Sequence, residues 1–112
     1  MKIDILGTEY DVDIVPQAED EYLRESNSSG YTDPSIHRIV VQDQSKRPPS
    51  YKSQADLASY QQDTMRHEII HAFLFEAGLG SECSWHTEEC VDWFALMLPK
   101  LINACVEAGA IG

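Results

Sequence analysis

The chain has 112 residues, of which 43% are apolar and 24% charged, with a formal net charge of −11. That length supports one domain over residues 1–112, and the composition is that of a globular chain, not a disordered one. The acidity argues against nucleic acid as a direct partner, and there is no apolar run near the roughly 20 residues of a membrane span.

The N-terminus, Met1-Lys2-Ile3-Asp4-Ile5, lacks a signal peptide's continuous apolar stretch, so the cytoplasm is the default compartment. Three cysteines, Cys83, Cys90 and Cys105, are odd in number and irregular in spacing, which is a poor disulfide framework and fits a reducing environment.

Residues 2–6 and 9–15 alternate apolar with polar side chains around Gly7-Thr8, predicting a β-hairpin with one wet face that ends at Pro16. Residues 19–24 read equally as a short strand or a helical turn. Ser26-Asn27-Ser28-Ser29-Gly30 is a loop by composition, and Asp33-Pro34 is a second turn signal. Residues 36–42, rich in β-branched side chains, form the clearest strand. Lys46-Arg47-Pro48-Pro49-Ser50 breaks the order again. From about Ser53 to Ala77 the pattern is helical, with Gly78 and Gly80 as the stop. A second helix is expected from about Thr87, a suitable N-cap, to Val106, with a kink or break at Pro99. Strands first and helices last make this an α+β chain.

Within the first long helix, His67-Glu68-Ile69-Ile70-His71 is an HExxH motif. Residues four apart on an α-helix lie about 40° apart around its axis, one turn up, so both imidazoles reach a single ion. Zinc takes neutral His nitrogens and keeps one position for water. Glu68 stands about 100° from His67, beside the ligands, where it can accept that water's proton as general base. Ile69, Ile70, Phe73, Leu74 and Ala77 span the other side of the helix and can bury it.

A third protein ligand is expected, and the longer HExxHxxGxxH pattern is absent, because Leu74 and Ala77 stand at its later positions. The candidates are Glu88, Glu89 and His86. Glu88 is favoured because Asp92 lies one turn further along the same face, where it can accept a hydrogen bond from a ligand imidazole. Glu89 points about 100° away from that partner.

These residues resemble the gluzincin metallopeptidases, and more narrowly the ImmA/IrrE-like family and the minigluzincins. The resemblance rests on His67-Glu68-Ile69-Ile70-His71-Ala72, on Glu88-Glu89-Cys90-Val91-Asp92-Trp93-Phe94-Ala95 and on Leu96-Met97-Leu98-Pro99, and covers about residues 36–100. It implies a zincin-like fold, with a small, mostly antiparallel N-terminal sheet above the active-site helix and a second helix at the C-terminal end. It also implies a Zn2+ cofactor held by His67, His71 and Glu88, with Glu68 as general base and Asp92 behind the ligands. The implied activity is peptide-bond hydrolysis in an intracellular or phage-encoded regulatory setting. A protein or peptide substrate would add as a strand along an edge at 36–42. Family enzymes use a Tyr or His to stabilise the tetrahedral intermediate; Tyr60, two turns before His67, is a candidate here, with His37 and His86 as others.

Three rival readings remain. Cys83-x-x-His86-x-x-x-Cys90 offers soft ligands for a structural zinc, completed by Cys105 or His71. A zincin-shaped module without turnover would dock a basic protein partner. A purely structural interaction protein would use Trp85, Trp93 and Phe94.

Overall fold

The structure, a computed structural model, describes residues 1–46 and 56–112. Strand β1 (Lys2–Ile5) and strand β2 (Thr8–Val15) form the expected hairpin, with Ile5 opposite Thr8. Its tight turn is Leu6-Gly7, one residue earlier than the composition suggests, and both residues have positive φ (50° and 90°). A two-residue turn of this hand matches the twist of the strands it joins.

The ambiguous stretch at 19–24 is helical: a 3-10 turn at Gln17–Glu19 leads into helix α1 (Glu21–Ser26). Asp20 caps α1 by accepting the Leu23 amide hydrogen at 3.0 Å, and Asn27 closes it in the left-handed conformation. Strand β3 (Gly30–Asp33) follows, an element that sequence reading passes over, and then strand β4 (Arg38–Gln42).

The sheet order is β1-β2-β4-β3. Two of the three pairings, the outer ones, are antiparallel as expected, while β2 and β4 run parallel, so the sheet is mixed. The expected edge at 36–42 is corrected. Strand β4 is interior and hydrogen-bonded on both sides, so no peptide can add to it; among the described residues the edge strands are β1 and β3. The chain returns through α1 and the β3–β4 hairpin, so that β4 enters between β2 and β3 and runs in the same direction as β2.

The expected break at 47–50 and the expected helix start at Ser53 fall outside the described residues. Helix α2 (Leu57–Glu76) is capped by Asp56, which accepts the Ser59 amide hydrogen. It ends where expected, with Gly78 at φ +80°. Helix α3 (Glu88–Glu107) has Thr87 as its N-cap, accepting from the Cys90 amide. The chain is thus α+β, a small mixed four-stranded sheet followed by two C-terminal helices. Among the described residues no helix is long and apolar enough to cross a membrane.

Ile5, Tyr10, Val12, Ile39, Val41 and Ala72 make the core between the sheet and α2, with Met65 and Ile69 packed on it. The Tyr10 hydroxyl and the Thr8 hydroxyl donate to Glu76 at 2.8 and 3.1 Å, tying the hairpin to the last turn of α2. Strand β3 crosses α2 so closely that a Cβ on Gly30 would lie 2.9 Å from Thr64 Cγ2 and 3.1 Å from the Val40 carbonyl. Only glycine fits there.

The break expected at Pro99 does not occur, since α3 is helical from Glu88 to Glu107. Proline has no N–H to give the carbonyl four residues back, here that of Ala95. Arg66 of α2 supplies the missing donor, its Nε reaching the Ala95 oxygen at 2.6 Å.

Candidate metal centre

The HExxH motif lies in the middle of α2, with His67 and His71 facing the start of α3 and Glu68 turned towards β3. Their Nε2 atoms are 3.1 Å apart. The Glu88 carboxylate bridges them, one oxygen 3.0 Å from His67 Nε2 and the other 3.0 Å from His71 Nε2. Among the described residues these three form a group able to hold a metal ion.

The hydrogen-bond partners assign the protons. The Leu79 carbonyl, which can only accept, is 2.6 Å from His86 Nδ1, so the hydrogen of neutral His86 is on Nδ1. His86 Nε2 then accepts from His71 Nδ1 at 2.8 Å, leaving a lone pair on His71 Nε2. His67 Nδ1 donates to Asp92 Oδ1 at 2.7 Å, leaving a lone pair on His67 Nε2. With both imidazoles neutral, two lone pairs and a carboxylate converge there. A cation satisfies that arrangement. Ligand atoms about 2.0–2.1 Å from a tetrahedral zinc are about 3.3 Å from one another, close to the spacing seen. The donor set of two imidazoles and a carboxylate fits zinc in kind as well.

Glu68 is 6% exposed. Its Oε1 accepts from the Thr32 hydroxyl at 2.9 Å, and its Oε2 stands 4.0 Å from His67 Nε2. Burial pushes this carboxyl above its ordinary range, against the pull of the Thr32 hydroxyl and of His67. Burial likewise holds the His71 imidazole below its ordinary value, against the pull of Glu88, which favours the neutral form that a metal ligand needs. The group opens into a cavity of about 540 Å³ whose walls include Tyr22, Tyr31, Thr32 and Phe75.

Glu88 and Asp92 thus occupy the positions expected of a ligand and of the residue behind it, one turn apart on α3. Glu89 is exposed beside them. His86, weighed as a ligand, instead stands behind His71. Cys83 and Cys90 are not part of the gathered group. Tyr60 lines a neighbouring depression together with His67, Glu68 and Asp92, and its hydroxyl is 2.6 Å from that of Ser29. His37 lies away from the motif, at the far end of α2 by Glu76.

Thr32 and Gly30 are positions at the candidate site that sequence reading missed. Their only signal is two strand-forming residues, Tyr31-Thr32, wedged between Ser28-Ser29-Gly30 and Asp33-Pro34, too short to register as periodicity. Comparison with family models, with curated proteins and with solved structures finds no match for the chain.

Proposed function

We propose that this chain is a zinc-dependent peptide hydrolase of the HExxH type, with a zincin-like arrangement of motif helix, ligand helix and sheet. The observation that carries the reading is the convergence of His67, His71 and Glu88 on one point: with neutral imidazoles three acceptors meet there, and Glu68 sits beside them with a carboxylate of its own. Zinc bound there supplies Lewis acidity, polarising a carbonyl and making water acidic enough to lose a proton near neutral pH.

The chain's own residues do the rest. Asp92 and His86 hold the two imidazoles in the ligating tautomer. Thr32 fixes one oxygen of Glu68 and leaves Oε2 free on the side of His67. Its raised proton affinity suits Glu68 to take a proton at Oε2 and return it to a leaving amine. The open edge at β3 borders Glu68 through Thr32, which supports an extended peptide adding there.

The test is zinc content by plasma mass spectrometry for wild type, His71→Ala and Glu88→Ala, followed by peptide hydrolysis with Glu68→Gln. About one zinc per wild-type chain, lost or weakened in both ligand variants, is expected. Glu68→Gln should keep the metal and lose hydrolysis by roughly 100-fold or more. A wild type that takes up no zinc refutes the reading. Zinc bound without hydrolysis of any peptide leaves a binding module in place of an enzyme.

A further inference from the structure

On the side of α2 and α3 facing away from the sheet, an apolar hollow of about 190 Å³ is lined by Ile70, Leu74, Trp85, Val91, Phe94 and Leu98, with no charged side chain on its walls. Its surroundings are apolar too: Phe73 is 41% exposed, Trp85 46%, Phe94 40% and Leu101 50%. Along α3, Cys90, Phe94, Leu98, Leu101 and Cys105 succeed one another at intervals of three and four residues, a single stripe down one helix face.

We propose that this face binds a second copy of the same chain, the two α3 helices crossing antiparallel about a two-fold axis near Met97-Leu98. Three observations select that occupant. The hollow's lining is uncharged on a chain of net charge −11, so two copies can meet there without apposing carboxylates, although their net charges oppose association elsewhere on the surface. The stripe is self-complementary when reversed: Leu101 of one copy comes opposite Phe94 of the other, and Cys105 opposite Cys90, as an isologous interface requires. An apolar cavity of about 150 Å³ accepts a benzene-sized group, so each hollow has room for the partner's Leu101.

The area is sufficient for a weak dimer. Four half-exposed large side chains and the walls of the hollow offer on the order of 450 Å² per copy, about 900 Å² for the pair, the size of a weak, transient interface. An interface of that size is weak, so the dimer is expected to form and dissociate within the micromolar range. The hollow's walls adjoin the metal-centre residues in sequence: Ile70 precedes His71, Trp85 precedes His86, and Val91 precedes Asp92.

The experiment is sedimentation velocity of the full chain between about 2 and 200 μM, with Leu101→Glu as the interface variant and circular dichroism as the folding control. The expected result is a shift from one-chain to two-chain mass across that range. In Leu101→Glu the dissociation constant rises at least tenfold, helix content unchanged. Mild oxidation should give a covalent dimer in wild type that both Cys90→Ser and Cys105→Ser diminish. One-chain mass at the highest concentration overturns the proposal. So does a dimer that Leu101→Glu leaves as tight as before, or a cross-link that survives in both serine variants.

Discussion

At His71 the nitrogen facing Glu88 is free of hydrogen only because the other nitrogen has an acceptor for its own, and that acceptor is His86, set in turn by the Leu79 carbonyl. Removing the chain should cost metal affinity without touching a ligand. His86→Ala is expected to weaken zinc binding about 10- to 100-fold in competition with a chromophoric chelator, and His86→Gln, whose amide oxygen can accept, should recover part of the loss. Equal affinity in all three would mean that the His86 contact is incidental. Glu68 makes a second prediction, for the metal-free protein. Its raised proton affinity means that the folded chain holds this proton more tightly than the unfolded chain does. Ionised Glu68 therefore lowers stability above its folded pKa, and the cost fades as pH falls through that value. Glu68→Gln should melt higher than wild type at neutral pH, the gap narrowing in mild acid; a gap that widens in acid would contradict the assignment. At this scale the pairing of His67 with His71 was legible in the sequence, because four-residue spacing on a helix is a local rule. His86 as a support was not, since its role depends on where the Leu79–Trp85 turn folds back.

Among the elements, α3 depends on α2 for a donor that proline withholds. Arg66→Met leaves the Ala95 carbonyl without its partner and should destabilise the protein by about 1–3 kcal/mol. Pro99→Ala returns an N–H to that carbonyl, so the double variant should recover much of the loss, which a denaturation-based double-mutant cycle would read as strong coupling. Strand β3 has its own constraint. Gly30→Ala puts a methyl against Thr64 Cγ2 and the Val40 carbonyl and should cost about 1–3 kcal/mol. Both features were hidden from sequence reading for the same reason. A proline inside an apolar helix signals a break unless some other side chain repairs it, and a lone glycine after two serines signals a loop unless another element presses on it. In each case the deciding atom comes from a segment more than 25 residues away, Arg66 for Ala95 and Thr64 for Gly30.

For the whole molecule, hairpin, helices and caps follow from near-neighbour patterns and were readable, whereas the parallel β2–β4 pairing joins residues that no local period links. Net charge acts at this scale as well. A chain of −11 folds against its own repulsion, so raising salt from about 10 to 200 mM, which shortens the screening length from about 30 Å to under 10 Å, should raise the melting temperature. A midpoint that falls with added sodium chloride would show that local ion pairs, such as Lys2 with Asp11 and Arg38 with Asp13, outweigh the repulsion.

The Arg66–Ala95 hydrogen bond also sets a phase. Arg66 immediately precedes His67, and Ala95 comes seven residues, about two turns, after Glu88. Two smooth apolar helices can slide and roll on each other, and a slip of one residue displaces α3 by about 1.5 Å and turns it by about 100°. Glu88 would then leave the imidazoles and Glu89 or Thr87 would take its place. Pinning one carbonyl of α3 to the residue next to His67 works as an index mark: it fixes which carboxylate meets the histidines.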